Sequence, residues 1–256
     1  MAGWDDLGVE LARWVGAGRT ATLWWRDDDA ADRTPAVERL VGLAEASGAP
    51  VHLAVVPAPL TERLTAYLMR SAVTRVLQHG YAHANYAPKG TGKWELGDHR
   101  PLEAVLAELD VGRRRLAAAF GKKFLPVLVP PWTRISDSVT AALAAAGFEV
   151  LSTEGARADR FAAPGLLALH AHCDPIRWKG GAQFRGEDRS LALIVEHLAA
   201  RREGRADLTE PTGLCTHHLA LDGEGWEFVE RLLQYTVEHR AVRWIALEDE
   251  MDRDRQ

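Results

Sequence analysis

The stretch VTRVLQHGYAH, residues 73–83, decides how this chain is read. Its first half is a short apolar run of the kind that forms a buried strand. Its second half delivers two imidazoles, His79 and His83, four residues apart. At that spacing they share one face of a helical turn, or they converge from a loop at a strand end. Either arrangement can hold a metal between them; the plainer alternative is one packed and one solvated histidine.

The same pattern of a strand followed by chemistry recurs along the chain. Strand-like runs are TATLWW (20–25), VHLAVV (51–56), VTRVL (73–77), FLPVLV (124–129), FEVL (148–151), GLLALHAH (165–172), TGLCTHH (212–218) and VRWIAL (242–247). Helical patterns alternate with them: PAVERLVGLAEASG, LEAVLAELDVGRRRLAAAF, SDSVTAALAAAG, SLALIVEHLAA and EGWEFVERLLQYTVEH. Two of these stop on a glycine, Gly48 and Gly147, and one starts on a Ser136 cap. Strand–helix alternation implies parallel strands joined by crossover helices. Seven or eight such units in 256 residues predict a (β/α) barrel rather than an open sheet, built as one domain over 1–256. EGARADRFAAPG and REGRADLTEPTG read as surface loops.

Composition narrows the function classes. The chain is 47% hydrophobic and 26% charged, which is globular, and its formal net charge of −5 argues against a dedicated nucleic-acid binder. Two cysteines, Cys173 and Cys215, give no disulfide framework and suit a reducing compartment. The opening MAGWDDLGVELARW is acidic and amphipathic, unlike a secretory signal, and no apolar run reaches a membrane span. The expectation is a cytoplasmic protein; oligomeric state leaves no sequence signal.

A barrel makes a statement about chemistry, because active-site residues gather at the C-terminal ends of its strands. The first strand ends in Arg26-Asp27-Asp28-Asp29, the third in His79 and His83, and the fourth in Pro130-Pro131-Trp132. The sixth ends in His170, His172 and Asp174, and the seventh in His217 and His218. Acids and imidazoles on one rim are what metal-assisted hydrolysis requires.

In this order the motifs resemble those of the polysaccharide deacetylase family (carbohydrate esterase family 4), whose members fold as a distorted (β/α) barrel. The family's Asp-Asp, His-x-x-x-His, Arg-x-Pro-aromatic, Asp…Trp and Leu-x-His segments correspond to WRDDDA, HGYAH, VPPW, DPIRW and LCTHH across nearly the whole chain. The resemblance implies a metal-dependent hydrolase that removes amide-linked acetyl groups from an N-acetylated sugar or related carbohydrate, with water activated by the metal as nucleophile. It implies a divalent transition metal, Zn²⁺ first, held by Asp29, His79 and His83. Asp28 would be the general base and His217 the general acid, with His218 as the alternative. Trp132 would lend its backbone N–H to an oxyanion hole, and Asp174 and Trp178 would support and line the site.

Two departures bear on that reading. Val129 stands where the family has the arginine that tunes its base, leaving Arg26, Arg134 or Arg177 to take the role, and Ala30 replaces a glycine. The aspartate pair is Asp28–Asp29 if the distance to Gly48 follows the family, and Asp27–Asp28 otherwise. Adjacent strand residues face opposite ways, so one of His217 and His218 is structural. Two rival readings stand beside this one. An amidohydrolase-like barrel enzyme would use His170, His172 and Asp174, whose i, i+2, i+4 spacing puts them on one strand face. A catalytically silent glycan-binding protein would keep the fold alone.

Overall fold

The computed structural model describes residues 2–254. After helix α1 (Trp4–Gly16) the chain enters β1 (Ala21–Ala30), and α2 (Pro35–Ser47), β2 (Val51–Val55), α3 (Glu62–Leu68) and β3 (Thr74–His79) follow. A long loop leads to α4 (Leu102–Phe120), β4 (Phe124–Val129), α5 (Asp137–Ala142) and β5 (Val150–Leu151). Next come β6 (Phe161–Ala163), β7 (Leu166–Ala168) and the small pair β8 (Ile176–Arg177) and β9 (Gln183–Phe184). The chain closes with α6 (Glu187–Glu203), β10 (Thr212–Thr216), α7 (Gly223–Val237), β11 (Val242–Trp244) and α8 (Leu247–Asp254). Helix starts follow the cap rule: Thr34, Thr61, Ser136 and Asp222 each accept an N–H from the first turn.

Strands β10, β1, β2, β3, β4, β5 and β7 lie side by side in that order, every pairing parallel. The ring closes through the continuation of β7. Ala171 bridges to Glu154 on one side and Cys173 to Leu214 of β10 on the other. Seven parallel strands therefore form a barrel, distorted where β5 and β7 are shortest, and β11 adds an eighth parallel strand beside the start of β1. The distorted (β/α) barrel expected from strand–helix alternation is what the chain forms. No helix among the described residues is long and apolar enough to cross a membrane.

The two segments read as surface loops are joined by a buried contact. EGARADRFAAPG contributes β6, which pairs antiparallel with β7. Within it Arg157 is buried, and its guanidinium holds Asp207 while its N–H donates to the buried Glu210 (3.0 Å). Both segments otherwise stay largely at the surface, and their polar side chains satisfy one another through Arg157.

Alternation sorts the strand side chains onto an outer and an inner face. Leu23, Trp25, Val51, Leu53 and Val55 face outward into the layer packed by α1, α2, α6 and α7. Trp24, Ala54, Leu77, Val127, Val129, Val150 and Leu167 face inward and are capped by Ile245, Leu247 and Met251. His52 sits in this inner layer, fully buried. Its Nδ1–H donates to the Trp25 carbonyl (2.8 Å) and its Nε2 accepts the Leu247 N–H (2.9 Å), so the neutral ring is satisfied at both nitrogens. Burial lowers its pKa to about 4. A depressed histidine pKa contributes stability that is present above the unfolded value of 6.5 and is lost as pH falls towards 4. His52→Gln is therefore expected to flatten the fall of the unfolding free energy, read from urea titrations, across that window, by up to about 3 kcal/mol. An unchanged slope would show that His52 does not titrate there.

Candidate active site

The site begins with the end of β1. Arg26 and Asp28 are two apart and point into the barrel with Trp24, while Asp27 points outward with Trp25. Asp27 is consumed by structure. Its carboxylate receives the Thr216 hydroxyl (2.7 Å) and the His218 N–H (3.1 Å), and lies 2.5 Å from His218 Nδ1. His218 is thereby fixed on the outward face of β10, and His217 is left on the inward one.

Arg26 is fully buried and meets Asp28 side-on, Nε to Oδ1 at 2.9 Å and Nη2 to Oδ2 at 3.1 Å. Its other amino group donates to the Ser152 hydroxyl (2.8 Å) and the Thr153 carbonyl (3.1 Å). Of the three arginines that could replace the one absent at Val129, it is Arg26 that grips this carboxylate. Burial pushes the Asp28 carboxyl up, but Arg26 first, then His79 and His217, outweigh it and hold it below the usual range.

Asp29 escapes the alternation. The pairing of β1 with β2 shifts register between Asp27 and Ala30, and Asp29 has φ 75°. Such a bulge re-aims one side chain. Asp29 Oδ1 consequently lies 3.2 Å from His79 Nε2 and 3.2 Å from His83 Nε2. His79 is the last residue of β3. His83 comes from the loop beyond, which turns at Gly80 (φ 53°), where a Cβ would collide with the Glu95 carboxylate and lie 2.7 Å from Pro131 Cγ. Glu95, itself buried, accepts the N–H groups of Ala82 (2.7 Å) and Tyr81 (3.3 Å) and so shapes that loop.

The donor set of this triad fits a divalent transition metal. His79 Nδ1 is 2.9 Å from the Val129 carbonyl, which can only accept, so Nδ1 carries a proton and Nε2, turned to Asp29, is the nitrogen that would bind a metal in place of its own proton. Two ligands each about 2.0–2.1 Å from a tetrahedral zinc stand roughly 3.3 Å apart, close to the 3.2 Å separations here. Burial raises the Asp29 carboxyl, and His79, His217 and His83 together bring it well below the carboxylate range, so it is ionised.

A cavity of about 600 Å³ opens on this triad. His217 stands across it, Nε2 3.9 Å from Asp28 and Nδ1 3.7 Å from Asp174. Asp174 is oriented by the Ile176 N–H and the Trp178 indole N–H, both at 2.7 Å, and the Trp178 ring meets His217 edge-on at 4.7 Å. Trp132 packs on His83 with centroids 4.5 Å apart. The residues of the deacetylase reading, Asp28, Asp29, His79, His83, Trp132, Asp174, Trp178 and His217, thus reach one cavity or its wall. Glu154 lines it too and was missed, although Val150, Ser152 and Glu154 step inward by twos from β5. Burial raises the Glu154 carboxyl pKa, with Arg26 opposing.

Among the described residues, the non-glycine positions with positive φ are Asp29, His83, Trp132 and Thr133, and all four line this cavity. Such conformations are costly for L-residues and persist where the surroundings enforce them, characteristically at functional sites.

The rival histidines go elsewhere. His170 Nδ1 accepts the Thr153 N–H (3.0 Å) and His172 Nδ1 accepts the Gly213 N–H (2.9 Å). Each neutral ring therefore carries its proton on Nε2, which is then a donor and not a metal ligand. His172 Nε2 faces Glu210 at 3.4 Å, stacked on His197 beneath α6, while Asp174 belongs to the cavity. The three do not form a centre.

The rim of acids and imidazoles on a distorted seven-stranded barrel defines a fold of the polysaccharide deacetylase, or carbohydrate esterase family 4, type. A candidate polysaccharide deacetylase from Mycobacterium smegmatis superposes with a TM-score of 0.69 at 14% identity, over 93% of this chain and 91% of that one. A peptidoglycan N-acetylglucosamine deacetylase in complex with a hydroxamate-type benzamide gives 0.56 at 13% identity, over 90% and 87%. A Clostridium thermocellum family 4 acetyl xylan esterase in complex with a cobalt ion gives 0.54 at 9% identity, over 89% of each chain. A family 4 pseudoenzyme from Bacillus anthracis shares the fold as well. No protein-family model and no curated protein matches the sequence.

Proposed function

We propose that this protein is a metal-dependent hydrolase that removes amide-linked acetyl groups from an N-acetylated carbohydrate. The observation that carries the reading is the convergence of Asp29, His79 and His83, with Nε2 of both rings turned to Asp29, beside an arginine-held aspartate and a histidine on the far side of one cavity. Two imidazoles and a carboxylate suit zinc, and also cobalt or iron(II). When bound, the ion would activate water and polarise the acyl carbonyl. The remaining work falls to the chain. Asp28, kept ionised by Arg26, accepts the proton of the attacking water. The Trp132 N–H, at the left-handed turn after β4, would stabilise the developing oxyanion. His217, held between Asp28 and Asp174, protonates the departing amine. Trp132 and Trp178 offer flat apolar faces to a sugar ring.

Acetate release from N-acetylated oligosaccharides, abolished by chelation and restored by zinc or cobalt, tests the reading directly. Sugar binding with no acetate release under any metal would leave a silent glycan binder. The role of His217 has a sharper signature. An amine leaves only when protonated, whereas an activated phenolate leaves unaided. His217→Ala is expected to lose about 10²–10⁴-fold on the amide, keep its metal, and retain a larger share of turnover on an aryl acetate. Equal losses on both substrates would assign the ring to positioning.

A further inference from the structure

The same cavity carries two cations that the hydrolytic mechanism does not use. Lys93, from the loop after β3, and Arg134, from the turn after β4, both line it. The protein is acidic overall, and its other arginines are mostly neutralised: Arg33, Arg75, Arg157 and Arg202 each rest on a carboxylate. Neither Lys93 nor Arg134 has a carboxylate within ion-pair distance among the described residues.

Both are nevertheless held in place. The Lys93 ammonium lies 5.6 Å from the Trp132 ring, and the Arg134 guanidinium 5.6 Å from the Trp94 ring. Gly92 (φ 89°) makes room for Arg134, since a Cβ there would run into the guanidinium. An aromatic face orders a cation without neutralising it. Trp132 also packs on His83, so this cationic wall adjoins the triad. Of the acids lining the cavity, Glu154 follows β5, Asp28 is paired with Arg26, and Asp29 lies between the His79 and His83 rings.

We infer that Lys93 and Arg134 form an anion subsite, and that the acetylated sugar bears a carboxylate or phosphate group seated between them. The inference rests on the hydrolytic reading only in taking the ligand to be an N-acetylated sugar. A guanidinium with free N–H groups favours planar oxyanions, and an ammonium adds a point charge.

Quenching of cavity tryptophan fluorescence in the purified protein can compare three probes. They are N-acetylglucosamine, N-acetylmuramic acid for the carboxylate, and N-acetylglucosamine 6-phosphate for the phosphate. At low salt at least one acidic sugar is expected to bind about tenfold tighter than the neutral one, the scale of a charge-assisted hydrogen bond. Added salt should narrow the gap. In the Lys93→Gln/Arg134→Gln variant, which keeps both stems, the ratio should fall to about one, and Arg134→Lys should restore part of it. Which acidic probe binds better names the group. Equal binding of all three sugars, or a preference that survives in the double variant, would overturn the inference. Acetate release measured in parallel separates it from the hydrolytic reading. A preference for acidic sugars without acetate release sinks the hydrolase and leaves the subsite. Release from all three sugars with no preference does the reverse.

Discussion

Replacing His79 by alanine is expected to lower metal content from about one ion per chain to near zero and to take acetate release with it. His79 is the best-defined donor of the triad, because its Nδ1–H is tied to the Val129 carbonyl and its ring is buried. Changing a mere supporting partner of a metal ligand already costs 10–100-fold in affinity, so losing one of three ligands should cost at least about 100-fold. Asp29→Asn should behave alike, whereas Asp27→Asn should keep its metal, since Asp27 serves His218 and Thr216 on the other face of the strand. Equilibrium dialysis against zinc, with circular dichroism as a check on folding, reads all three. Retention of metal by His79→Ala would place the centre elsewhere. Loss of metal in a folded Asp27→Asn would show that the two faces of β1 are not independent.

Much of this site was legible because a barrel strand has only two faces. Once β1 and β10 are strands, Arg26 and Asp28 share the inner face, and His217 joins them while His218 cannot. The substitute for the arginine absent at Val129 follows from the same rule, two residues before the aspartate it grips. What alternation could not supply is Asp29. In a regular strand it would share the outward face of Asp27, and only the bulge turns it towards His79 and His83. Motif resemblance pointed to Asp29 where periodicity alone would have placed it outward. Glu154 was overlooked for another reason. FEVL looks finished at Leu151, and the polar Ser-Thr-Glu that continues its inward stepping resembles a loop. The short strands β6, β8 and β9 carry too few residues to show any period.

Asp28→Asn is expected to lose about 10²–10⁴-fold in turnover, the scale of a positioned proton acceptor, while keeping its metal. The substitution nearly preserves shape, so packing against Arg26 survives, but an amide cannot take a proton from water. It also leaves the buried Arg26 guanidinium without its counter-charge, and breaking one partner of a buried pair costs about 3–5 kcal/mol. Stability and activity must therefore be separated. Arg26→Gln/Asp28→Asn removes both charges, since replacing the whole pair is far less costly than breaking it. That variant should regain much of the lost stability and none of the activity. If activity returns with stability, Asp28 acts by holding Arg26 and the barrel mouth together, and the base must be sought elsewhere, with Glu154 the nearest unassigned carboxyl in the cavity. The two substrate types add a second discrimination. Water must be deprotonated whether the acetyl group leaves an amine or a phenolate, so Asp28→Asn should fall alike on amide and aryl ester. His217→Ala should fall mainly on the amide. A crossed result, with Asp28→Asn sparing the ester and His217→Ala sparing neither, would exchange the two roles: the aspartate would serve the leaving group and the histidine the water.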